Sequence, residues 1–258
     1  MNSSIESIDT LTHEIEKIFD KRGGVFSVEF EDQTLWVKKA QKSGSNAFHH
    51  LFYKLIKNRL LIPAQTQSGI ESVMFEAHKI KEIKKQFDNV PTVIYSCEEY
   101  MVLSDTGINL RALIDKKEKS DDEIKTILYE ALKLLTQLHN LGFYHGGSQI
   151  KNFTYKDDKI SIIDFEEKFS TSEAISDLQF RDLFLFLISI ARVDLNIDFK
   201  DFITFYIDLT GHEDFKQKFE KVIKDLRFVL WLLNKEVVLK KMDKDTKSVY
   251  KLLTQIKF

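Results

Sequence analysis

The stretch His145-Gly146-Gly147-Ser148-Gln149-Ile150-Lys151-Asn152, followed by Asp164-Phe165-Glu166, sets an amide oxygen and a carboxylate on either side of a short hairpin signal. These are hard oxygen ligands of the kind magnesium takes when it also touches phosphate. The chemistry they suit is phosphoryl handling, with Asn152 and Asp164 as the metal-binding pair. Two further residues extend the set. Lys38 ends a strand-like segment and can meet phosphate oxygens; Glu76 lies in Phe75-Glu76-Ala77, mid-helix between apolar neighbours. A lone charge in that setting needs a partner, and a lysine would provide it. Lys39 is the alternative lysine, because adjacent strand residues face opposite ways.

A protein-kinase catalytic loop runs H-R-D-x-x-x-x-N and is followed, after a hairpin, by D-F-G. His145 and Asn152 hold the outer positions of that frame, and Asp164-Phe165 falls at the metal turn. The position of the proton-accepting aspartate is Gly147, which can neither take a proton nor orient a hydroxyl. Glu166 or Glu167, just past the metal turn, are the carboxylates that could act instead, and Glu166 is taken with Gly147 as the candidate catalytic pair of positions. His145 reads as a packing and hydrogen-bonding residue of the loop. Met101 to Gly107 occupies the hinge position, where backbone near Leu103 to Asp105 would meet an adenine edge. Asp182 reads either as an acceptor for the loop backbone or as a helix N-terminal acid. No G-x-x-x-x-G-K-[ST] loop is present, and Gly23-Gly24 lacks the G-x-G-x-x-G spacing. His49-His50 has no acidic partner at ligand spacing.

The elements that must position these residues follow from periodicity. Apolar residues at helical spacing predict helices over 4–21, 47–61 and 70–87. Alternation predicts strands over 25–31 and 34–40, with Asp32-Gln33 as the turn, and paired strands over 92–95 and 100–104. Beyond the turn at 105–107 the chain turns mostly helical. A short helix over 109–115 precedes a long one over 121–141, which Ser120 and Glu123 would start as a capping box. Short strands over 153–155 and 160–163 flank a hairpin turn, and helices follow near 173–194, 199–209, 213–241 and 244–256. Strands plus a helix, a hinge, then a helical half make an α+β bilobal protein-kinase-like plan. A doubly wound sheet would need alternating strand–helix units. The expected division is 1–104 for the smaller lobe and 105–258 for the helical lobe.

The net charge of −2 gives no general reason to expect nucleic acid as a partner. The single cysteine, Cys97, excludes an intramolecular disulfide and a cysteine-based zinc cluster. The longest apolar run, near 183–191, is far shorter than the ~20 residues that span a bilayer, so no transmembrane segment is expected. The first ten residues lack the basic and apolar regions of a signal peptide, and a cytoplasmic location is the expectation.

Trp36-Val37-Lys38, Phe75-Glu76-Ala77 ahead of Val90-Pro91, Tyr144-His145-Gly146 and Ile162-Ile163-Asp164-Phe165-Glu166 together resemble the bacterial lipopolysaccharide kinases. These are the Kdo and heptose kinases, distant relatives of protein and RIO-type kinases. Their loop commonly reads H-G-D-x-x-x-x-N and their metal turn I-D-F-E or I-D-F-D. The resemblance covers about residues 25–190 and departs at Gly147. It implies ATP and magnesium as cofactors, with Lys38, Glu76, Leu103 and Asp105 at the nucleotide and Asn152 and Asp164 at the metal. The implied acceptor is a sugar, a lipid-linked sugar or another small hydroxyl compound. Gly147 sustains the alternative of a pseudokinase that binds nucleotide or a protein partner without transfer.

Overall fold

The computed structural model describes residues 2–44, 62–193, 195–227 and 244–256. The helix expected over 47–61, with His49 and His50, and positions 228–241 of the helix expected over 213–241 lie outside the described residues.

Helix α1 (Asn2–Phe19) leads into a hairpin of β1 (Val25–Phe30) and β2 (Gln33–Lys39). Its turn is Glu31-Asp32, both at positive φ (48° and 58°), the backbone that matches strand twist in a two-residue loop. Helix α2 (Gly69–Lys84) follows, started by a Ser68/Glu71 capping box. Strands β3 (Val93–Ser96) and β4 (Tyr100–Ser104) complete an antiparallel sheet in the order β1-β2-β4-β3.

Strand β4 is buried on both faces, which is why it reads as a continuous apolar run rather than an alternation. Tyr100 and Val102 join Leu35, Val37 and the α1 residues Leu11 and Ile15 in one cluster. Met101 and Leu103 join Val73, Ala77, Ile80 and Ile83 of α2 in the main core. The sheet is therefore held between α1 and α2. On β2 the alternation sends Leu35 and Val37 to the α1 side, so Lys38 must face the other way.

Past β4, Gly107 sits at φ +92°, where a Cβ would run into the Tyr155 carbonyl, so the chain can cross close to the next sheet. Asn109 opens the expected helix α3 (Leu110–Asp115) as its cap, its side chain accepting the Ala112 N–H at 2.9 Å, and it also ends a two-residue strand, β5 (Ile108–Asn109). Helix α4 (Asp121–Asn140) starts with the expected Ser120/Glu123 box. A 3₁₀ turn (Ile150–Asn152) leads into β6 (Phe153–Lys156) and β7 (Lys159–Ile162), which form a second sheet in the order β5-β6-β7. Helices α5 (Ile175–Ala191), α6 (Phe199–Thr210), α7 (Asp214–Asp225) and α8 (Lys244–Gln255) follow.

Helix α5 is apolar nearly all round and runs through the core of this half, where Phe180 meets Phe215 and Phe219 at 5.2 and 4.8 Å between ring centres. The architecture is α+β, a small antiparallel sheet with helices followed by a mainly helical half. Among the described residues no helix is long and apolar enough to cross a membrane.

Candidate functional site

Lys38 leaves β2 on the side opposite Leu35 and Val37 and enters a group of three carboxylates. Its Nζ lies 2.7 Å from Glu76 Oε2, 2.5 Å from Asp164 Oδ1 and 3.0 Å from Glu166 Oε2. Lys39 turns to the α1 side, where its ammonium bonds the Phe19 and Arg22 carbonyls and covers the Phe19 ring. Glu76, fully buried on α2, uses both oxygens: Oε2 for Lys38 and Oε1 for the Phe165 N–H at 3.1 Å. It thereby ties the lysine to the turn at Asp164-Phe165.

Burial alone would push the Lys38 ammonium down, but Glu76, Asp164 and Glu166 hold it well above the usual lysine range. Burial pushes Glu76 up to about 7 against the pull of Lys38. Burial would also raise Asp164, yet the Lys38 ion pair keeps it below its ordinary value. Three carboxylates face one ammonium, so the group carries acid in excess of its cation and suits a further positive charge.

Asn152 follows the loop into this site. Its amide nitrogen donates to the Gly147 carbonyl at 2.8 Å, which leaves the amide oxygen to serve as a ligand. Asn152, Asp164, Lys38 and Glu76 line one cleft of about 330 Å³, whose apolar walls include Val25, Leu103 and Ile163. That volume lies in the range of small-molecule sites. Leu103, near the end of β4, faces the cleft. The Asp105 carboxylate is engaged elsewhere, accepting from Trp36 Nε1 and Lys156 Nζ, each at 2.8 Å.

The loop itself is held from below by Asp182 of α5. Oδ2 accepts the His145 N–H at 2.6 Å and Oδ1 the Gly146 N–H at 2.9 Å. The helix-terminal reading of Asp182 is replaced by this one, since the residue lies mid-helix and is fully buried. Lys79 of α2 donates to the His145 carbonyl at 2.9 Å and sits over the Tyr144 ring, so α2 also braces the loop.

His145 is locked as a neutral ring. Its Nε2–H donates to the Ile163 carbonyl at 2.8 Å, and Nδ1 accepts the Gly147 N–H at 2.9 Å. Protonating Nδ1 breaks the second bond inside the core, and burial pushes the group down to about 4. The unfolded chain therefore binds the extra proton between the ordinary 6.5 and about 4, and stability falls as pH is lowered through that window. Urea unfolding between pH 7 and 4 should show a loss of up to about 3 kcal/mol from this group. The slope should flatten in His145→Gln; an unchanged slope would remove His145 as its source.

Past Asp164-Phe165, the chain runs beside residues 65–67. Gln65 N–H donates to the Lys168 carbonyl at 2.8 Å and Gln67 Nε2 to the Glu166 carbonyl at 2.9 Å. The two adjacent glutamates then go to different places. Glu166 joins Lys38, while Glu167 packs against the Gly146-Gly147 backbone and pairs with buried Arg181 at 2.8 Å. Sequence reasoning missed Arg181 and the distinct placing of Glu167. The available signal was the glycine pair, since two successive residues without Cβ mark a close approach.

No family model matches the chain. A Haemophilus influenzae protein described as uncharacterized is 23% identical over 168 residues, covering 65% of this chain and 63% of that protein. The match thus spans less than two thirds of the relative's length. Among solved structures, WaaP in complex with acyl carrier protein is similar at a TM-score of 0.46 and 12% identity, over 89% of this chain and 93% of that chain.

Proposed function

We propose that the chain is an ATP- and magnesium-dependent phosphotransferase of lipopolysaccharide-kinase type, acting on a sugar, a lipid-linked sugar or another small hydroxyl compound. The observation that carries this reading is Lys38, bound by both Glu76 and Asp164 in a cleft that Asn152 also lines. In it Lys38 holds the α- and β-phosphates and Glu76 fixes Lys38. Backbone from Leu103 to Asp105 meets the adenine edge, and the two lobes divide at that hinge, as 1–104 and 105–258.

Asn152 and Asp164 would hold magnesium, which when bound neutralises phosphate charge and aligns the transferring group. The donors fit such an ion: a carboxylate, an amide oxygen and an excess of acid over ammonium. A cytoplasmic setting belongs to the same proposal.

The test is thermal unfolding of the protein with ATP, with and without magnesium. A ligand that binds only the folded state raises stability by about 2.7 kcal/mol at a hundredfold excess over its dissociation constant. The expected result is a rise that requires magnesium. No shift at millimolar ATP would sink the nucleotide reading.

One observation favours a second reading. Gly147 stands where the proton-accepting aspartate belongs, as in a pseudokinase that binds nucleotide or a protein partner without transfer. Nucleotide binding with no turnover of any acceptor would select it.

A further inference from the structure

We infer that Glu167 supplies, from outside the loop, the carboxylate that Gly147 lacks, and that it takes the proton of the hydroxyl being phosphorylated. This rests on the phosphotransferase reading above and gives its site a proton acceptor.

The geometry is specific. A Cβ built on Gly147 would have Glu167 Oε1 as its nearest neighbour, at 3.3 Å. The side chain of an aspartate at 147 and the Glu167 carboxylate therefore compete for one small volume. The approach depends on the neighbouring glycine too. Gly146 sits at φ +108°, and a Cβ there would come within 2.8 Å of Glu167 Cβ. Two residues without side chains thus open the groove through which Glu167 reaches the loop.

The carboxylate is also oriented. Oε2 is buried and lies 2.8 Å from Arg181 Nη2. Arg181 in turn donates to the Gly146 carbonyl, so the guanidinium locks Glu167 and the loop together. Oε1 is the oxygen turned to Gly147. The Gly147 carbonyl accepts the Asn152 amide, and Asn152 lines the cleft. Burial holds the Glu167 carboxyl above its ordinary value despite Arg181, a shift toward the range of a working base.

In the step, the acceptor oxygen forms a bond to the γ-phosphorus of ATP as the bond from that phosphorus to the β,γ-bridging oxygen breaks. ADP leaves with that electron pair, and the acceptor proton passes to Glu167 Oε1. Glu166 is not available in the same way, since its carboxylate is engaged with Lys38.

The bland alternative is that Glu167 is only the counter-ion of Arg181. Steady-state turnover of magnesium-ATP with water as the acceptor separates the two, alongside direct titration of nucleotide affinity. Glu167→Gln should lower kcat by about 10²–10⁴-fold while nucleotide affinity stays within about twofold. The acid limb of the wild-type pH–rate profile should disappear with it. Gly147→Asp in a Glu167→Ala background should recover about tenfold or more of the rate that Glu167→Ala loses, because alanine empties the volume that the new carboxylate then takes. Gly147→Asp alone should gain nothing, since two carboxylates would then crowd one site.

Wild-type rate in Glu167→Gln, or a loss in Glu167→Ala that Gly147→Asp leaves unrescued in a protein that still binds nucleotide, would overturn the assignment. So would a wild type that binds magnesium-ATP and never turns it over, which leaves the nucleotide site standing. Absence of nucleotide binding is a different failure and removes the parent reading as well.

Discussion

Asp164→Asn should unfold at a somewhat lower temperature than the wild type when free, and show no magnesium-dependent gain on adding ATP. The first half follows from charge. Wild type packs Glu76, Asp164 and Glu166 around a single ammonium, and burial has already pushed Glu76 up to about 7. Removing the Asp164 carboxylate loses the ion pair that holds it below its ordinary value, but Lys38 keeps Glu76 at 2.7 Å and Glu166 at 3.0 Å, so the loss is small. Asparagine is the right replacement because Asp164 sits at φ 71°, a left-handed backbone that asparagine tolerates and alanine resists.

The second half follows from ligand chemistry. An amide oxygen lacks the full charge of a carboxylate, and Asn152 already supplies an amide. The wild-type gain of about 2.7 kcal/mol at a hundredfold excess of nucleotide should vanish. Any phosphoryl transfer should drop by about 10³-fold or more, the order seen when a preorganised electrostatic contact is lost. Differential scanning fluorimetry with ATP, with ATP and magnesium, and with neither measures all of the binding claim. A variant that keeps the full magnesium-dependent shift would take Asp164 out of the metal site. A variant at least as stable as wild type when free would mean that Asp164 strains the fold despite its ion pair, the usual trade between function and stability.

The parts of this site that could be read from the sequence are those governed by a period. Lys38 against Lys39 is decided by alternation, because Leu35 and Val37 are apolar and claim one face of β2. Glu76 announces a partner by standing among Phe75, Ala77 and the helix's apolar stripe. Ser120 and Glu123 mark a helix start by spacing alone, and Ser68 with Glu71 carries the same signal. Where the backbone is irregular, no period applies. Glu166 and Glu167 are adjacent and identical in type. Only the run of the chain beside Gln65 and Gln67 sends one to Lys38 and the other to Gly147. Strand β5 was equally illegible, since two residues carry no alternation and pair only because Gly107 lets the chain approach β6.

Asp182→Ala should cost about 3–5 kcal/mol of stability, the range for stripping one partner from a buried charged network. The carboxylate is fully buried and serves donors from two parts of the chain, the loop and α4. It accepts the backbone N–H of His145 and of Gly146 at 2.6 and 2.9 Å. It also faces His139 Nε2 at 3.3 Å, whose other nitrogen meets Tyr206 Oη of α6 at 2.6 Å. Tyr206 can only donate to Nδ1 if Nε2 carries the hydrogen, so the chain of bonds runs from α6 through α4 to α5 and ends at the loop.

Alanine leaves two backbone N–H groups and an imidazole N–H without an acceptor in a dry core, at about 1–3 kcal/mol each before relaxation. Asp182→Asn separates charge from shape. Its oxygen can replace one acceptor, but its NH₂ must then face another N–H, so it should recover part of the loss and never all of it. The pH dependence has a definite sign. Burial would raise the Asp182 carboxyl, but the His139 bond and nearby positive charge hold it below the ordinary 3.8. Its contribution is therefore complete above that value and disappears as pH falls through the lower folded one. Urea unfolding of the three proteins at pH 7 gives the order wild type, Asn, Ala. An alanine variant within about 1 kcal/mol of wild type would mean that water replaces the carboxylate and that the loop does not depend on α5 for its shape.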